Sequence, residues 1–229
     1  MRTAAILPVK RFAQAKQRLG ASVADPLRLE LARAMVGDVL AALAETASIE
    51  RTIVVTGEPS VADAARTQGA IVIDDTAQRG QSAAVVLGVE RALAEGMERA
   101  LCIPGDCPTL DPSDLEALLS PSAGNEAPEV VIIPDRHGTG TNGLLLAPPD
   151  TIPPSFGPDS CERHRALAHA AGVVCRLERP ASLLLDIDTG EDLTALRARL
   201  STERIRAPLT RAVFDRTTAK ERPAITAPA

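Results

Sequence analysis

Ala100-Leu101-Cys102-Ile103-Pro104-Gly105-Asp106-Cys107-Pro108 is a short apolar run broken by a tight turn, and an amphipathic segment, Pro112 to Leu119, follows at once. A run of this kind suits a strand buried on both faces, and the turn hands it to a helix. The same unit recurs outward in both directions. Strand-like runs stand at Ala4 to Val9, Thr52 to Thr56, Ala70 to Ile73, Val130 to Pro134, Gly143 to Ala147 and Leu183 to Asp188. Between them lie helical patterns at Pro26 to Ala44, Val61 to Gln68, Ser82 to Glu95, Cys161 to Ala171 and Glu191 to Leu200. The alternation predicts βαβ units in an α/β fold, a three-layer α/β/α sandwich around a mostly parallel sheet. Residues 1–200 form one domain. From Ser201 the periodicity fades, and 201–229 reads as a mildly basic, flexible tail.

Composition narrows the function. Apolar residues are 45% of the 229, but aromatics are 1%, so the core is built from Ala, Val, Leu and Ile. No aromatic platform is present on which bases could stack, which argues against a single-strand nucleic-acid binder. A net charge of −5 leaves no broad basic footprint, so any phosphate binding is local. The four cysteines follow no metal-ligand spacing and read as reduced thiols. No run reaches the length of a membrane span and no secretory segment precedes the first strand, so the expectation is a cytoplasmic protein.

In sheets of this kind ligands bind outside the carboxyl ends of the strands. Lys10, Asp106, Asp186 and Asp188 all fall there. In an extended chain residues i and i+2 share a face, so Asp186 and Asp188 point to one site, where two carboxylates call for a cation such as Mg²⁺. Asp106 is the third candidate ligand, though an aspartate in a turn also commonly bonds its own backbone. Lys10, Arg11, Lys16 and Arg18 follow the first strand and suit a triphosphate; a solvated loop is the plainer reading. At Arg79-Gly80-Gln81-Ser82 the serine reads as a helix cap beside a free helix start. Asp135 to Asn142 offers two glycines, two hydroxyls, an amide and a guanidinium for an anion; in Phe156 to His164, Ser160 reads as a second cap whose helix start offers free N–H groups, with Arg163 and His164 facing that ligand or solvent. The first of these also fits a hairpin turn. The segment Pro148 to Pro158, with five prolines, is a loop over the surface or the site, fit for part of a lid.

Taken together, Pro8-Val9-Lys10-Arg11, Gly105-Asp106-x-Pro108, Asp135-Arg136-x-Gly-Thr-Gly-Thr141, Phe156-Gly157-x-x-Ser160-x-x-x-His164 and Asp186-x-Asp188-Thr189 resemble a known family. It is that of the phospholactate and phosphoenolpyruvate guanylyltransferases, which serve synthesis of a deazaflavin redox coenzyme. They belong to the nucleotidyltransferases of glycosyltransferase-A-like fold. The resemblance spans about Ala4 to Leu200. It implies a GTP-dependent enzyme that moves GMP onto phosphoenolpyruvate, 2-phospholactate or 3-phosphoglycerate and releases diphosphate. It implies Mg²⁺ on Asp106, Asp186 and Asp188, and the acid received by Lys10, Thr141, Gly157 and Ser160. Lys10 and Asp106 are then the catalytic candidates, with Arg11, Lys16, Gly80 and Ser82 on the nucleotide. Relatives often carry Asn where Ser82 stands, and a Gly-rich loop after the first strand is replaced here by Lys10, Arg11 and Lys16. No nucleic-acid or membrane partner is expected, and a homodimer stays open. Two other readings also stay open on sequence alone. One is a nucleotidyltransferase of the same fold acting on a sugar phosphate or a molybdopterin, the other a binding module without catalysis.

Overall fold

The computed structural model describes residues 1–13, 19, 23–120, 127–203 and 205–221, with the side chains of 218–221 outside that description. Among the described residues, seven strands make one sheet: β1 (Thr3–Val9), β2 (Arg51–Thr56), β3 (Ile71–Asp74), β4 (Arg99–Cys102), β5 (Glu129–Pro134), β6 (Thr141–Ala147) and β7 (Val174–Leu177). Their order is β3-β2-β1-β4-β6-β5-β7. All neighbours are parallel except β6, which runs antiparallel to β4 and β5. The helices are α1 (Asp25–Glu45), α2 (Pro59–Thr67), α3 (Gln81–Ala94), α4 (Pro112–Leu119), α5 (Ser160–Ala170), α6 (Gly190–Thr202) and α7 (Pro208–Glu221).

The strands alternate between two cores, as a period of two requires. Ala5, Leu7 and Val9 of β1 face α1, α2 and α4, whereas Ala4 and Ile6 face α3 and α5. Burial on both sides explains why the central strands are apolar throughout, and the expected three layers follow.

Helix α1 belongs to two cores at once. Ala32, Val36, Val39 and Leu40 face the sheet, while Leu31, Ala34 and Met35 pack on α6 and α7. A helix apolar on two sides needs a cover on each. The outer cover corrects the reading of a tail for 205–221, while 222–229 lie outside the described residues: α7 docks there through buried Val213 and Phe214, and Arg197 of α6 lies 4.6 Å from the Phe214 ring centroid. The buried Asp38 carboxylate of α1 accepts the Leu209 and Thr210 N–H groups at 2.9 Å each, which satisfies the start of α7. Burial pushes the Asp38 carboxyl above its ordinary range, with those bonds pulling the other way.

Leu183–Asp188 is not a strand, against expectation. A 3-10 turn (Ala181–Leu183) leads into a segment with no ladder partner among the described residues. Separate contacts satisfy its backbone instead: the Leu183 carbonyl accepts from Asn142 Nδ2 at 2.9 Å, and the Ile187 N–H donates to the Asp106 carbonyl at 3.1 Å. The side-chain alternation still holds. Leu185 and Ile187 are buried against α1, α6 and α7, and Asp186 and Asp188 face the other way. Strand β7 is an element that apolar patterning does not mark, a four-residue sheet edge with Val174 and Leu177 exposed.

Candidate functional site

Strand order reverses between β1 and β4, and the chain opens a cavity of about 410 Å³ there. This is where open α/β sheets place ligands. The crevice has a backbone origin. The Ile6 carbonyl accepts from Ile103 N, so by parity the Pro8 nitrogen also faces β4, but it carries no hydrogen and the β1–β4 pairing ends at Ile6 and Cys102.

Lys10, Asp106 and Asp188 line the cavity, together with Gly80 and with Gln81 at the start of α3. The loop after β1 is pinned from two helices. The Phe12 N–H donates to Glu58 Oε2 at 3.1 Å, and the Phe12 carbonyl accepts from Arg28 Nη1 at 3.1 Å. Arg11 turns outward, its Nε donating to the Gly57 carbonyl at 3.0 Å. Lys16 lies outside the described residues.

The expected metal ligands gather from two segments. Asn142 Nδ2 also donates to Asp186 Oδ1 at 3.2 Å. Burial first, then the negative charge of Asp106, raises the Asp186 carboxyl above its ordinary range; the Asn142 bond opposes this and Asp188 adds to it. Asp188 and Thr189 are held by Asp192, whose Oδ2 accepts both their N–H groups, at 3.0 and 2.7 Å. Burial alone would raise Asp192, but the bonds from Thr189 and Asp188 and the charge of Arg136 bring it below its ordinary range. Arg136, read as an anion ligand, lies instead 2.6 Å from the Asp192 carboxylate.

Among the described residues no three His, Cys, Asp or Glu side chains converge into an all-protein metal cage. Mg²⁺ rarely uses one: it takes one or two carboxylates and completes its shell with water and substrate phosphates. Hard oxygen donors that repel one another beside a cavity fit a cation that arrives with a nucleotide.

The remaining candidates form a second pole on the α5 side. Because β6 is antiparallel, its first residues, Thr141 and Asn142, lie at the same sheet edge as the ends of β1 and β4. Ser160 Oγ lies 3.0 Å from Thr141 Oγ1, and His164 Nδ1 lies 3.1 Å from that same oxygen. His164 Nε2 accepts the Ser155 N–H at 2.9 Å. Burial, then the charge of Arg163, lowers the His164 ring to about 4.

Neither serine caps its helix as expected. Gly80 precedes α3 at φ 106, a conformation open to glycine, and Ser82 Oγ accepts the Phe156 N–H at 2.8 Å. Asp159 precedes α5, and the Ser160 hydroxyl is taken by Thr141. Gly157, at φ 117, turns the proline-rich loop toward α5. That loop has no regular structure and is tied down through Ser155 and Phe156.

The structure therefore brings Lys10, Gly80, Asp106 and Asp188 to one cavity, with Asp186 beside it, and links Thr141 to both His164 and Ser160, whose N–H donates to the Gly157 carbonyl at 3.1 Å. It adds Asn142, Asp192, and Asp75 and Gln78 of the β3–α3 loop, which line the cavity. Asp75 directly follows β3, so the strand-end rule that picks Lys10 and Asp106 also marks it.

Residues 3–215 match the family described as "Guanylyl transferase CofC like", a span that reaches into α7. A phosphoenolpyruvate guanylyltransferase of Conexibacter woesei is 48% identical over 216 residues, covering 94% of this chain and 96% of that one. A 3-phospho-D-glycerate guanylyltransferase of Colwellia psychrerythraea is 33% identical over 196 residues, covering 86% and 91%. Among solved structures, a nucleotidyl transferase from Methanothermobacter superposes with a TM-score of 0.61 at 21% identity, covering 88% and 99%. At that identity the likeness speaks for the fold alone.

Proposed function

The chain belongs to the CofC-like guanylyl transferase family and is a guanylyltransferase; from that premise we propose that it transfers GMP from GTP to phosphoenolpyruvate. The relative at 48% identity bears that acceptor in its name. A second reading, 3-phosphoglycerate, is favoured by the name of the Colwellia relative.

The observation that carries the proposal is the cavity at the β1–β4 reversal, with Lys10 and the carboxylates Asp106 and Asp188 on its walls. A phosphate oxygen of the acid attacks the α-phosphorus of GTP in line; the new P–O bond forms as the bond to the β-phosphate oxygen breaks, and diphosphate leaves. The nucleophile is already an anion, so no side-chain base is required. Position and charge neutralisation are what the protein supplies. Lys10 offsets charge on the triphosphate and on the incoming phosphate. Asp106 and Asp188 in the cavity, with Asp186 beside them, would supply the one or two carboxylates that Mg²⁺ takes from protein, and the bound ion would lower the repulsion between the two substrates. The N–H groups at the start of α3 receive phosphate oxygens, for which Gly80 lets the backbone come close. Asp75 accepts from the ring-edge N–H groups of guanine, two donors that adenine does not present together. Thr141, Gly157 and Ser160 receive the acid.

The test is diphosphate release with each of GTP, ATP, CTP and UTP against phosphoenolpyruvate, 2-phospholactate and 3-phosphoglycerate, with and without Mg²⁺. Release with GTP and phosphoenolpyruvate, dependent on the metal, is expected. Faster turnover with another acid reassigns the acceptor, and no release with any acid overturns the proposal.

A further inference from the structure

His164 is 0% exposed and has no task in the transfer just described, yet its surroundings fix where its proton sits. The Ser155 N–H, 2.9 Å away, can only donate, so Nε2 carries a lone pair. The ring is neutral at pH 7, since burial and the Arg163 charge lower its pKa to about 4. Its single ring hydrogen is therefore on Nδ1, which donates to Thr141 Oγ1. The Phe156 ring, edge-on with centroids 5.2 Å apart, holds the imidazole in that orientation.

A proton count follows. Thr141 and Ser160 bring two hydroxyl hydrogens. One lies in the 3.0 Å bond between them. The other cannot go to His164, whose facing nitrogen already bears a hydrogen, and among the described residues no further acceptor bonds this pair. In the opposite tautomer His164 would accept from Thr141, both hydroxyl hydrogens would be consumed within the trio, and an arriving anion would meet only lone pairs.

We propose that His164 is a positioning residue for the acceptor acid: by donating to Thr141 it frees one hydroxyl hydrogen of the Thr141–Ser160 pair for an oxyanion of that acid. The proposal rests on the reading above that Thr141, Gly157 and Ser160 receive the acid. The imidazole never touches substrate and acts through the pair.

The test uses two amides that each keep half of the ring's chemistry. His164→Asn places an N–H where Nδ1 stands, and His164→Gln places an oxygen where Nε2 stands. His164→Gln is expected to raise the KM for phosphoenolpyruvate by roughly ten- to hundredfold, the range for a lost hydrogen bond to a charged group, with the KM for GTP unchanged. His164→Asn is expected to recover most of that loss. Thr141→Val raises the same KM, and Thr141→Val with His164→Gln is expected to be no worse than Thr141→Val alone, because both remove one donor. Each histidine variant loses one of the two ring bonds, so a merely structural role predicts the same impairment in both. Equal acid KM values for the two, a loss that falls on GTP, or additive effects in the double variant would each overturn the proposal. A wild-type enzyme that forms product while the variants behave alike refutes the role of His164; one that forms no product with any acid refutes the acceptor reading instead.

Discussion

Asn142→Ala isolates how the proposed cation site is held together before any ligand arrives. The 5% exposed side chain donates to the Leu183 carbonyl at 2.9 Å and to Asp186 Oδ1 at 3.2 Å, and so joins β6 to an unladdered segment at two points. A bond to a neutral carbonyl contributes about 1 kcal/mol and one to a carboxylate about 1.5–3 kcal/mol, so the expected loss at pH 7.5 is about 2.5–4 kcal/mol. For a domain of this size that lowers Tm by roughly 5–15 °C. The effect is pH-dependent. Asp186 is raised in the folded protein by burial and by Asp106, so between its unfolded value and its folded one the folded state binds the extra proton, and stability falls as pH rises through that window. Asn142 opposes the shift; without it the window extends further upward. Thermal unfolding of wild type and variant between pH 4 and 8 should show a penalty that is small when Asp186 is protonated and grows toward neutrality. Mg²⁺ with GTP should recover part of it. A penalty independent of pH, or a Tm near that of wild type at pH 7.5, refutes the reasoning.

Other expectations follow from the same geometry. Asp188→Asn should lower kcat by about a hundredfold or more with far-ultraviolet circular dichroism unchanged; wild-type turnover in that variant removes the metal assignment. Phe214→Ala should destabilise by about 3–5 kcal/mol in denaturant titration, since α7 is a docked cover and not a tail. Asp75→Asn should raise the KM for GTP and narrow its margin over ATP in competition assays; an unchanged ratio removes Asp75 from base reading. Cys102, buried and pushed up to about 12 by that burial, should resist alkylation at pH 8 in the folded protein and react on unfolding, as read by intact mass.

The layers, the strand ends and the cavity-lining Lys10, Asp106 and Asp188 are legible in the sequence because buried strands and strand-end polar residues carry local signatures. What is not legible depends on partners far along the chain. Leu183 to Asp188 alternates as a strand does, but alternation cannot tell whether a ladder partner is present, and here Asn142 and Asp106 take that place. A serine at a helix start reads as a cap until Thr141 is seen to hold the Ser160 hydroxyl. Helix α7 escapes because most of its residues are polar. The available clue sits elsewhere, in an α1 that is apolar on two sides and so needs a second cover.

The missing hydrogen of Pro8 coincides with the point where β1 and β4 part. In a parallel ladder the next rung would run from an N–H at position 8 to the Ile103 carbonyl. With any other residue there, β1 and β4 could zip one step further and draw Lys10 toward Asp106. The opening between these strand ends thus begins where one main-chain donor is absent.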